Sequence, residues 1–138
     1  MPRIPKSEPA VAPLVAEIAR EAMQIAAEAC GVRLDDMTAS GRRKARVAFA
    51  RQLAMYLCHV VGGLSMGEIS CAFGRDRTTV GYACHIIEDR RDAPMFDGQV
   101  EFLEGEMRER MGLLFARRDR AVFMADVKVR KARANIAR

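Results

Sequence analysis

Apolar residues recur every three or four positions through most of this chain, the period of a helix buried along one face. Leu14, Ile18, Ala22, Ile25 and Ala26 form the first stripe, Glu17, Arg20 and Glu21 are left for solvent, and Gly31 stops the run. Leu34-Asp35-Asp36-Met37 reads as one short turn. A longer helix is predicted from Val47 to Val61, with Leu53, Leu57 and Val60 on its buried stripe and Gly62 and Gly63 at its end.

The stretch from Leu64 to Arg91 carries the sharpest local signals. Ser65-Met66-Gly67-Glu68 has the spacing of a capping box, and Leu64 and Ile69 stand where a hydrophobic staple lies. The helix that starts there is short, ending near Phe73 at Gly74. After a tight turn, Asp76 can cap a second helix whose inner face carries Val80, Ala83, Cys84 and Ile87. Two short helices joined by a glycine turn and sharing an apolar face make a helix-turn-helix.

Beyond Pro94, Val100, Leu103, Met107, Met111 and Leu114 fall on one face, with Gly105 as a weak point and Glu101, Glu104, Glu106 and Glu109 assigned to the solvent side. The last part reverses that sign. Arg117, Arg118, Arg120, Lys128, Arg130, Lys131, Arg133 and Arg138 face only Asp119 and Asp126, a basic tail that is either helical or disordered. At the front, Pro2, Pro5, Pro9 and Pro13 preclude a regular helix and predict a mobile arm. With no β-alternation of useful length, the class is all-α. The expected division is a flexible arm over 1–13, a helix-turn-helix domain over 14–114 and a basic extension over 115–138.

Length and composition narrow the function. A chain of 138 residues, half of them hydrophobic, buries one core, and a net charge of +5 favours polyanionic partners. No apolar run is long enough to cross a bilayer and the first residues lack the apolar stretch of a secretory signal, so a cytoplasmic, nucleoid-associated protein is expected. Cys30, Cys58, Cys71 and Cys84 form no Cys-x-x-Cys pair and read as buried reduced thiols. His59 and His85 have no companion at ligand spacing. Neither a cofactor, a metal nor a small-molecule substrate is implied, and no nucleophile has a base nearby, so the chain is not expected to be an enzyme.

The candidate chemistry lies in two basic elements. A helix-turn-helix presents the front of its second helix to base edges in the major groove, and Arg75, Asp76, Arg77, Thr78 and Thr79 occupy that position, with Tyr82 one turn on. Arginines can donate to phosphates or to guanine, Asp76 can accept from cytosine N4, and threonines can meet thymine methyls. The same Asp76 is fully explained as a helix cap. The second element is the loop holding Arg42, Arg43, Lys44 and Arg46, whose shape suits tracking phosphates or entering a minor groove.

From about Gln24 to Arg110 these residues resemble the carboxy-terminal DNA-binding domain of the bacterial replication initiator DnaA. Four segments carry the likeness: Ala27 to Val32, Arg42-Arg43 with Ala48 to Leu57, Leu64 to Ile69, and Ala72 to Val80. The resemblance implies a minor-groove role for Arg43, contacts to the DNA backbone or base edges from Arg51 and Gln52, and major-groove reading by Asp76, Arg77, Thr78 and Thr79. The chain departs from the family at Arg77, where histidine is usual, at Gly81 and Tyr82, which replace leucine and histidine, and in a turn one glycine shorter at Gly74-Arg75. The initiator's ATPase module is absent, since no Gly-x-x-x-x-Gly-Lys-Ser/Thr loop occurs. The expected protein is a stand-alone sequence-specific binder of double-stranded DNA that regulates replication initiation or transcription. The alternative is an interaction module that borrows the fold to titrate a replication-regulatory protein partner.

Overall fold

The structure, a computed structural model, describes residues 11–39 and 44–136. Five α-helices follow in order: α1 (Pro13–Cys30), α2 (Ala45–Val60), α3 (Met66–Phe73), α4 (Arg77–Arg90) and α5 (Pro94–Ile136). A short 3-10 turn, Leu34–Met37, lies between the first two. Among the described residues there is no strand, and no helix is long and apolar enough to cross a membrane.

The apolar stripes explain the packing. α1 and α2 make the broadest contact, α4 lies against α2, and α3 bridges α4 and α1. Met55, Leu57, Ile69, Phe73, Val80 and Ile87 are fully enclosed, and each such side chain stabilises the fold by about 1.5–3 kcal/mol relative to exposure. Pro13 is not part of a helix-free arm: it is the first residue of α1, a position whose amide needs no partner. Val11 packs against the core edge, while residues 1–10 lie outside the described residues.

α2 begins two residues before the predicted start and ends one residue before the predicted finish. Val60, assigned to the buried stripe, is instead 45% exposed, because it sits on the last turn where the chain swings away through Gly62. Gly62 is required for space. A Cβ there would stand 2.5 Å from the Cys58 carbonyl oxygen and 2.9 Å from the Ile18 side chain.

α5 runs unbroken through Gly105 and past position 115, a rod of about 65 Å at 1.5 Å per residue. Its first half packs on α1 through Val100, Met107 and Leu114. Arg110 reaches Glu21 at 3.5 Å, Gln24 at 3.3 Å and Glu28 at 3.3 Å, and Arg118 reaches Glu17 at 3.0 Å. Beyond that pair, every described residue is exposed except the half-buried Val127.

Further sequence expectations fail. Glu104 does not face solvent; it is buried and receives the Arg91 guanidinium. That side chain also donates from Nε to Asp97 at 2.5 Å and from Nη1 to the Tyr56 hydroxyl at 2.9 Å. Asp97 foremost, then Tyr56 and Glu104, hold the Arg91 pKa above its ordinary value although burial opposes the charge. Of the cysteines, Cys58 and Cys84 are buried, but Cys71 is exposed and Cys30 half-buried. Burial pushes the Cys84 thiol up to about 11, with Glu88 adding to the shift. His85 does have an acidic companion, Asp89, at 3.3 Å one turn away on the exposed face.

Candidate nucleic-acid interface

The helix-turn-helix is α3, the turn at Gly74 and α4. Ser65 caps α3 by accepting from the Glu68 amide at 3.1 Å, while the Glu68 carboxylate accepts from the Ser65 amide at 2.9 Å. Leu64 and Ile69, on either side of that cap, are both buried. Gly74 closes α3 with φ +62°, a backbone region that a side chain would strain. The turn is then clamped twice: the Arg75 amide donates to the Ser70 carbonyl at 3.1 Å, and the Ser70 hydroxyl donates to the Arg75 carbonyl. Asp76 caps α4, its Oδ1 accepting from the Thr79 amide at 2.7 Å. That hydrogen bond first, and one from the Thr79 side chain second, hold the Asp76 carboxyl below its usual value.

This capping fixes which residues stand at the front. Arg77, Thr78 and Thr79 occupy the first turn of α4 and are exposed, and Tyr82, one turn later, is 63% exposed. Free amides and the positive end of the helix dipole share that surface. Val80, Ala83, Cys84 and Ile87 form the opposite, buried face, so core packing on α2 sets which side of α4 turns outward. The Arg77 guanidinium is turned toward α3, where it lies beside the bare Cα of Gly67.

Arg75 and Arg51 have tasks that residue type alone did not reveal. Arg75 reaches across from the turn and donates through Nη2 to the Ala39 carbonyl at 3.1 Å and through Nη1 to Gly74 at 3.2 Å. Arg51, on α2, donates to the Met37 carbonyl at 3.0 Å and the Asp36 carbonyl at 3.3 Å. Both guanidiniums thus satisfy backbone carbonyls at the end of the connection that leads into the basic segment. No spacing rule could have linked positions 36 residues apart, as Arg75 and Ala39 are linked here.

Arg42 and Arg43 lie outside the described residues. Lys44 immediately precedes α2 and, with Arg46 in its first turn, is exposed. Gln52 is half-buried. The structure therefore brings Ala39, the turn and the front of α4 together through Arg75, while Arg51 anchors the same connection from α2. A separate cluster went unnoticed in the sequence: Arg90 lies 4.6 Å over the Phe49 ring and 4.8 Å over the Phe96 ring, far from the front of α4 in the chain.

Residues 19–87 match the family described as the bacterial dnaA protein helix-turn-helix. Among solved structures, a replication initiator DnaA bound to AMPPCP and single-stranded DNA shares 30% identity with a TM-score of 0.62, over 69% of this chain and 29% of that one. A DNA replication initiation factor shares 32% identity with a TM-score of 0.64, over 70% of this chain and 30% of that one. The AMPPCP-bound DnaA from Aquifex aeolicus shares 29% identity with a TM-score of 0.61, over 70% and 29% respectively. The chain spans less than a third of the length of each of these proteins.

Proposed function

Since the chain belongs to the bacterial dnaA protein helix-turn-helix family, we propose that it binds double-stranded DNA in a sequence-specific way and acts on replication initiation or transcription by occupying sites. In this reading Arg77, Thr78, Thr79 and Asp76 read the major groove, Tyr82 adds contact one turn on, and Arg42, Arg43, Lys44 and Arg46 follow the adjacent backbone or minor groove. Arg75, Arg51 and Gln52 support the two elements and contact the DNA backbone. The protein acts as a binder in the nucleoid and not as an enzyme.

One observation carries this: the Arg75 bond to the Ala39 carbonyl. A guanidinium spans a few ångströms, so the chain entering the basic segment begins within one side chain's reach of the turn that launches α4. A groove reader and a phosphate tracker on one side of a molecule need that proximity.

The test is selection of bound duplexes from a random pool, followed by mobility shifts of the selected site and a random duplex across a salt series. Enrichment of one short sequence, with binding that weakens steeply as salt rises, is expected. Absence of enrichment together with loss of all shift at moderate salt would refute the reading. Arg43→Ala should weaken both duplexes alike.

A further inference from the structure

We propose that the outward face of α5 is an antiparallel pairing surface for a second copy of this chain. The face is unusual for a solvated helix. Met95 is 82%, Phe102 69%, Leu113 61% and Phe123 64% exposed, and none of them belongs to the buried stripe of α5. Together with Gln99, Glu106, Glu109, Ala116, Arg120, Val127, Arg130 and Ala134 they recur at steps of three and four, the seven-residue repeat by which two helices keep one seam in contact. This seam is separate from the Val100, Met107 and Leu114 stripe that the body already covers.

Charge decides the orientation. Glu106 and Glu109 lie on the first half of the seam and Arg120 and Arg130 on the second. A parallel pair would set Glu109 against Glu109 and Arg120 against Arg120, like charges in direct opposition. An antiparallel pair centred between Leu113 and Ala116 instead sets Glu109 of each copy opposite Arg120 of the other. One register then satisfies the rest of the seam: Leu113 meets Ala116, Phe102 meets Val127, and Met95 meets Ala134. Gln99 faces Arg130, and Glu106 against Phe123 is the one mismatched pair.

Two further features fit a second helix laid there. Gly98, Gly105 and Gly112 flank the seam at seven-residue intervals, each open to space where a Cβ would stand, although interior glycine weakens a helix relative to alanine. Beside the seam, a groove of about 470 Å³ lined by Phe49, Phe96, Phe102 and Leu103 lies at the level that Met124 of the second copy reaches in this register. The overlap, about 40 residues or about 60 Å of helix, buries an area on the order of the 1,600 Å² of stable protein pairs.

Sedimentation equilibrium of the full chain tests this without DNA, so its outcome is separate from that of the DNA-binding reading. A particle of twice 15.3 kDa is expected. Glu109→Arg and Arg120→Glu should each weaken pairing about tenfold or more, with helix content unchanged by circular dichroism, and an equimolar mixture of the two variants should pair again because it restores both contacts. A disulfide trapped between Phe102→Cys of one copy and Val127→Cys of another fixes the register. A mass of 15.3 kDa at concentrations up to about 100 µM overturns the proposal, as does a dimer indifferent to both charge reversals. A monomer that cosediments with phosphatidylglycerol vesicles would overturn it too, assigning the face to a membrane surface.

Discussion

At its front end α4 shows Thr78 and Thr79 to solvent behind a single capping carboxylate, while at its back end Arg91 is gathered by Asp97, Tyr56 and Glu104 inside the junction with α5. The same helix thus has one end where the Thr78 side chain faces solvent and another whose polar groups are used up by the protein itself. Uncommitted donors and acceptors keep their capacity for a partner, and committed ones hold the backbone that aims them. A rigid rear is what allows an open front to keep its geometry.

That contrast predicts mutational effects of different kinds. The largest should follow Arg91→Ala, which leaves the buried Glu104 carboxylate without its main partner and should cost about 3 kcal/mol of stability, read as a fall in Tm. The surviving folded fraction should keep its preference among duplexes. A neutral melting curve would mean that the rear of α4 is not the anchor described here.

Thr78→Ala or Arg77→Ala should do the reverse, removing about 1–2 kcal/mol of discrimination between the selected site and single-base variants while moving stability by less than about 0.5 kcal/mol. Competition binding checks this. Full selectivity in both variants would remove the front of α4 from the reading role.

Asp76→Ala lies between the two kinds. Loss of the cap should lower Tm by a small amount, and discrimination should fall with it. Because Thr79 holds the carboxyl below its ordinary value, this contribution is complete above the unfolded carboxylate's range and disappears as pH falls through the lowered folded value. Wild type and Asp76→Ala should therefore differ by a constant amount near neutral pH and converge in acid. The smallest effect belongs to Lys44→Ala, which should leave site preference intact and reduce the salt dependence of binding by about one phosphate contact.

Much of the fold could be read in advance because its determinants are local. The capping box at Ser65 and Glu68, the stop at Gly74 and the cap at Asp76 act within four residues, and each appears where the sequence put it. The all-helical class and the family likeness were equally accessible from periodicity and motif. What stayed hidden depends on distance in the chain. Glu104 falls among surface-like glutamates, and the arrival of Arg91 from the end of α4, with Arg108 one turn on, makes its burial tolerable. Val60 fits its stripe by period, but the stripe outlasts the neighbour that would cover it. At the candidate interface, residue types pointed to a basic surface, whereas the structural tasks of Arg51 and Arg75 arise from carbonyls that no pattern in the sequence connects to them.

The hollow at Gly67 bears on the reading role proposed for Arg77. A methyl group there would stand 2.9 Å from Arg77 Nη2, so the guanidinium rests against α3 in a space that a side chain at Gly67 would crowd. If Arg77 reads a duplex as proposed, each excursion toward it is a departure from this resting place, and the fraction of time spent away scales the affinity. In that reading Gly67→Ala should crowd the arginine out of the hollow and tighten binding, which titration of the selected duplex against both proteins checks, so a missing side chain on the supporting helix would act as a volume control for its neighbour.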